Sequence, residues 1–161
     1  SKNMNIYDLS KDELSYELKI RGFEDVGTVT EMRRTFKQIL KMVRDGDTLP
    51  QVQYDLTFGT DSEAITKKID ELKQLVDNFT DTINSTSYRR IKSKITHLNN
   101  RINLSKPKTP EEINIKSGFL VTTLKLFSNL DKLGKTNLKQ STAIGNVLDL
   151  SVLHINDSSS S

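Results

Sequence analysis

The sequence predicts an all-α protein: a small N-terminal helix-loop-helix, then a three-helix antiparallel bundle or coiled-coil hairpin, then a disordered C-terminal tail. Three observations predict it. Apolar residues recur at three- and four-residue spacings along most of the chain. Helix-start signatures of the form Ser/Thr-x-x-Glu stand at Ser10, Thr28 and Thr109. Only seven Gly and three Pro interrupt 161 residues, mostly where helices should begin or end. The boundaries that follow are 6–46 for the helix-loop-helix, 47–60 for a linker, 61–134 for the hairpin and third helix, and 135–161 for the tail.

The first helix opens on the Ser10/Glu13 capping box and carries Leu14, Tyr16 and Leu18. Gly22 is a left-handed stop after Arg21. A second box, Thr28 with Glu31, opens a helix whose Val29, Met32, Phe36, Ile39, Leu40 and Val43 form one buried stripe, ending near Arg44-Asp45-Gly46. From Asp47 to Thr60 the chain reads as a linker, since the alternation of Val52, Tyr54, Leu56 and Phe58 would make a lone strand without a partner.

Two heptad seams follow. Ile65, Ile69, Leu72, Val76, Phe79 and Ile83 are one; Tyr88, Ile91, Ile95, Leu98 and Ile102 are the other. The few polar residues between them, Asn84-Ser85-Thr86, are short enough to fold the second helix back on the first. Thr109-Pro110-Glu111-Glu112 then announces a fifth helix, with an N-cap, Pro at the first helical position and a capping Glu. It is expected to turn Ile113, Leu120, Leu124, Phe127 and Leu130 inward and to stop at Leu133-Gly134. The Ser-, Thr- and Asn-rich remainder buries too little to offset its ordering entropy. Within it the apolar stretch 147–155 either docks back on the helices or offers an interaction strand to another chain.

Composition narrows the chemistry. With no Cys there is no disulfide, thiolate nucleophile or Cys-based metal site, and a reducing compartment, cytoplasmic or nuclear, is the default. No apolar run approaches a membrane span, and Ser1-Lys2-Asn3-Met4 opens no signal-peptide hydrophobic region. No Gly-rich phosphate loop is present. The two imidazoles are His97, expected on an exposed helix face, and His154 in the tail. The carboxylate pairs Asp12-Glu13 and Glu111-Glu112 lie in capping boxes, where helix stabilisation accounts for them. The expectation is a non-enzyme with no cofactor, no metal and no small-molecule substrate.

Charge is unevenly distributed. Residues 1–48 hold nine basic and nine acidic side chains, whereas residues 82–110 hold Arg89, Arg90, Lys92, Lys94, Arg101, Lys106 and Lys108 without a carboxylate. On a helix Arg90, Lys94 and Arg101 fall within about 40° of one another, an expected exposed ridge suited to nucleic-acid phosphates or an anionic membrane. The competing reading is a solvated face, or pairing with Asp70, Glu71, Asp77 and Asp81 of the facing helix. Tyr88 is the one aromatic among these charges, so base stacking is not expected.

Leu9, Leu14, Leu18, Arg21-Gly22-Phe23, Gly27, Val29, Met32-Arg33 and Phe36 resemble the SAP motif, a DNA-binding helix-loop-helix. That resemblance casts Arg21, Arg33, Arg34 and Lys37 as phosphate contacts, although Glu24 and Asp25 bring negative charge into the loop. The order of this segment, a linker, and the stretches "DSEAITKKIDELKQLVDNF" and "YRRIKSKITHLNNRINLSKP" resembles the N-terminal part of Gag-like polyproteins of arthropod LTR retroelements, across residues 6–108. It implies an upstream, matrix-like or spacer region that self-associates and binds RNA or DNA through basic surface. The alternatives are a SAP-type DNA- or chromatin-associated adaptor and a helical interaction scaffold with no nucleic-acid role.

Overall fold

A computed structural model of the chain describes residues 4–50 and 55–159, with the side chains of the last helix described as far as Val147. Its order is a 3-10 turn, Ile6–Asp8, then α1 (Lys11–Lys19), α2 (Val29–Arg44), α3 (Phe58–Asp77), α4 (Thr86–Leu104) and α5 (Pro110–Ser159). No strand occurs among the described residues.

The starts of α1, α2 and α5 are fixed by the chemistry their sequence announces, whereas α3 begins behind a Thr57 cap inside the expected 47–60 linker. Ser10 N–H donates to Glu13 Oε1 at 2.9 Å, and Thr28 Oγ1 accepts from Glu31 N–H at 3.2 Å. Thr109 Oγ1 accepts from Glu112 N–H at 3.1 Å, with Pro110 as first residue of α5. Gly22 takes φ 81°, a conformation that costs a residue with Cβ about 1–2 kcal/mol. Behind it Phe23 N–H returns to Leu18 C=O and closes α1.

Two apolar cores form, and they are separate. Ile6, Leu9, Leu14, Leu18, Met32, Phe36 and Ile39 make the first, between the turn, α1 and α2, with Val29 and Phe23 against it. The larger one takes Ile65, Ile69, Leu72, Val76 and Phe79 from one expected seam and Tyr88, Ile91, Ile95, Leu98 and Ile102 from the other. Leu126 and Leu130 of α5 close it. Helix α3 ends at Asp77, so Phe79 and Ile83 reach this core from the connection rather than from a helix.

Helix α5 departs from expectation. Leu130 is buried and Leu120 and Phe127 pack partly buried against the core as expected, but Thr123 and Leu126 are also buried, while Leu124 is 69% exposed and Ile113 52%. The expected stop at Gly134 is absent, and the helix runs through it to Ser159. Gly134 serves close approach instead. Its C=O accepts Ile83 N–H at 3.0 Å, and a Cβ there would lie 2.9 Å from that nitrogen. Near the end of the bundle Asn137 Nδ2 of α5 donates to Asp81 C=O, 2.8 Å. Beyond it Leu138, Ile144 and Val147 are exposed. The stretch 147–155 is helical backbone, and its side chains after Val147 lie outside the described residues.

Candidate functional site

The densest polar arrangement joins the two cores. On α4, Arg90, Lys94, His97 and Arg101 follow one another at spacings of 4, 3 and 4, which puts them within about 60° on one face. Helix α1 lies over the last three of these. Lys94 Nζ stands 2.6 Å from Glu13 Oε1, and His97 Nδ1 stands 2.6 Å from Glu17 Oε1. Lys68 of α3 adds a bond of 2.5 Å to Asp12. Glu17 also takes Arg21 Nη1 at 2.6 Å, so one carboxylate holds both an imidazole and a guanidinium. Between them, Tyr16 sets its ring edge-on to His97, centroids 5.6 Å apart, and lies 4.3 Å below the Arg101 guanidinium. At the upper end Asn5 N–H donates to Ser93 Oγ, whose hydroxyl donates to Asp8.

Glu13, Glu17 and His97 are all buried to 2% exposure or less. Burial alone pushes both carboxyls upward, yet both end below the ordinary glutamate range. For Glu13 the bonds from Lys94 and Ser10 outweigh burial; for Glu17 those from His97 and Arg21 do. The same competition takes Asp12 down to about 2, where burial is outweighed by the bonds from Lys68 and Ser10. Lys68 moves the other way: burial lowers it, and its bond to Asp12 more than restores it. A carboxyl lowered in the folded state contributes stability above its unfolded pKa and loses it as pH falls through the folded one. The seam is therefore expected to hold above about pH 4.5 and to open between there and about pH 2. A pH series of protease nicking in the 45–57 connection measures this, with cleavage rising across that window before the bundle's helical signal falls.

The ridge expected at Arg90, Lys94 and Arg101 is thus not an exposed surface. Lys94 belongs to Glu13, and Arg101 Nε donates to the fully buried Asp61 Oδ1 at 2.7 Å. Neither partner was among the carboxylates the heptad reading offered. His97, expected on an exposed face, is fully buried. Arg21 is held by Glu17 and lies over the Phe36 ring. Arg33 faces the Tyr7 ring and donates to Tyr7 C=O at 3.3 Å, and Lys92 sits 5.5 Å from the Phe127 centroid. Of the expected phosphate contacts, Arg34, Lys37, Arg89 and Arg90 stand exposed. The seam residues Ile65, Ile69, Leu72, Val76, Phe79, Ile91, Ile95, Leu98 and Ile102 are all buried in one core.

A cationic face that the sequence reading assembled only in part lies on α2. Arg34, Lys37, Lys41 and Arg44 are exposed, and none forms an ion pair among the described residues. Their spacings of 3, 4 and 3 place them within about 80° of one another, opposite buried Met32, Phe36 and Ile39. Among the described residues no group of three or more His, Asp or Glu could hold a metal ion, and no helix is long and apolar enough to cross a membrane.

Comparisons with protein-family models, curated proteins and solved structures return no match to this chain.

Proposed function

We propose that this chain is a non-enzymatic, Gag-like assembly module whose copies associate through the projecting part of α5. One observation carries the reading. Leu126 and Ile144 are eighteen residues apart, five turns of helix, and so share a face, yet Leu126 is 5% exposed and Ile144 61%. Past the end of the bundle this face carries Asn137, Gln140 and Ser141 and then returns to an apolar residue at Ile144, which stands exposed. Val147, 62% exposed, lies beside it. A helical extension in water is marginal without packing, because its nucleation and ordering costs are met mainly by burying an apolar face. A second copy brings the same face, and two such faces together would cover each other.

Light scattering on the full chain tests this. Wild type is expected at a multiple of 18.3 kDa at micromolar concentration, and Ile144→Asp with Val147→Asp at 18.3 kDa. Equal masses for the two would overturn the reading.

The α2 face favours a second activity, salt-sensitive contact with a nucleic-acid backbone. Four phosphate contacts predict a slope of about −3.6 in log K against log salt for duplex DNA and about −2.8 for single strands. Reversing Arg34 and Lys37 to Glu should at least halve that slope, while Arg101, internally held, contributes nothing to it. A slope unchanged by the α2 reversal would rule this face out.

A further inference from the structure

Among the described residues, the side-chain bonds between the helices of the two cores set Lys68, Lys94 and His97 of the bundle against carboxylates of the N-terminal module, with the Asn5–Ser93–Asp8 bonds at one end and the Tyr16 ring against His97 and Arg101 at the other. The module carries Asp12, Glu13 and Glu17; the bundle carries Lys68, Lys94 and His97. Neither apolar cluster crosses the boundary. Such an interface differs from a core in its energetics. Desolvating paired charges roughly cancels their attraction, so the joined state is worth little more than the separated one, while a mismatched charge is strongly rejected. Selectivity is high and net strength is low.

The connection permits separation. Thirteen residues, 45–57, join α2 to α3. Fully extended they reach about 43–47 Å, longer than α1, whose nine residues span about 14 Å. The module also keeps its own apolar interior when lifted away, because Leu9, Leu14, Leu18, Met32, Phe36 and Ile39 pack on one another.

We propose that the bundle's row of Lys68, Lys94 and His97 is an acceptor for the acidic face of α1 that a second copy's α1 also fills, so that copies exchange their N-terminal modules. The contacts are identical within a chain and between chains, and charge complementarity names the occupant: the surface that fits this row is the α1 of the same sequence. At micromolar concentration the connection keeps each module on its own bundle, and exchange between copies sets in only as concentration approaches the effective concentration the connection imposes, about millimolar. It is a route to association distinct from the α5 face and does not rest on it.

The test separates the two routes by working throughout in chains carrying Ile144→Asp and Val147→Asp. One chain additionally carries Asp12→Lys and Glu13→Lys, the other Lys68→Glu and Lys94→Glu. Each alone opposes like charges across its own seam. Mixed, each module finds a complementary bundle only in the other chain. The expected result is a 1:1 dimer of twice 18.3 kDa on mixing, with each chain alone at 18.3 kDa. A chain carrying all four reversals regains a complementary seam and should, like the parent chain, close on itself at micromolar concentration. Two chains that stay separate on mixing, while the fourfold variant folds, overturn the proposal. Monomers that gain a salt-sensitive affinity for nucleic acid without dimerising also overturn it, in favour of a phosphate ligand for the same row.

Should the reversed seam not fold, the native one decides. Asn5 N–H lies 3.1 Å from Ser93 Oγ, and the chain has no Cys of its own. Mixing Asn5→Cys with Ser93→Cys under mild oxidation is expected to give a disulfide-linked pair of the two different chains, in excess over either chain's self-linked pair. No excess overturns the proposal.

Discussion

Ile95→Asp is expected to abolish cooperative thermal unfolding. Ile95 is 3% exposed at the middle of α4, within the cluster to which α3 and α5 also contribute. Removing the side chain from water's reach contributes about 1.5–3 kcal/mol, which is lost. A carboxylate placed among Ile, Leu and Val finds no cation and adds several kcal/mol. A chain of 161 residues has a stability of about 8–24 kcal/mol at 0.05–0.15 kcal/mol per residue, shared here between two cores. The larger core would not survive the change. Circular dichroism on heating reads it: a shallow, transition-free curve is expected, against a sigmoid for the control Lys73→Asp at an exposed position of α3. Wild-type melting of Ile95→Asp would remove α4 from the core.

Arg101→Glu should destabilise almost as much, for an electrostatic reason. Asp61 is fully buried in the first turn of α3, and Arg101 Nε holds its Oδ1 at 2.7 Å while the guanidinium covers Tyr16. Deleting one partner of a buried ion pair costs about 3–5 kcal/mol, because the other is left charged in low dielectric. Reversal adds a second carboxylate beside the first. A loss of about 4 kcal/mol or more is expected in urea unfolding, with Arg101→Met losing less than the reversal because it preserves the stem's packing. A loss under about 1 kcal/mol, the worth of an exposed pair, would mean that Arg101 is surface after all.

That second result marks where sequence reasoning reached its limit. Periodicity located both seams residue by residue, since a helix places residues three and four apart on one side and only apolar groups tolerate that side. Capping residues located the starts of α1, α2 and α5 because orphan N–H groups need acceptors wherever the helix lies. Neither signal carries information about which polar face meets which. Glu13 does close the box at Ser10, as its spacing indicates, and the same carboxylate also receives Lys94 from eighty-one residues away. One local explanation hid a distant one. A trace was present in the sequence: Arg90, Lys94, His97 and Arg101 at heptad spacing on α4, against Glu13 and Glu17 one turn apart on α1, are complementary rows. The misread end of α5 has a similar cause. Gly134 carries the usual mark of a stop, but here its missing Cβ admits the backbone of Ile83, a contact only tertiary structure reveals.

The association of copies along α5 is tested most directly by amide hydrogen exchange across residues 138–147, measured as a function of protein concentration. In a lone extension these amides should exchange nearly as fast as in an unfolded peptide, since a short uncovered helix frays freely. Protection there is expected to rise with concentration, in step with the mass from light scattering, while protection of residues 91–102 in the core of α4 stays constant. Fast exchange at 138–147 that is the same at every concentration would contradict it.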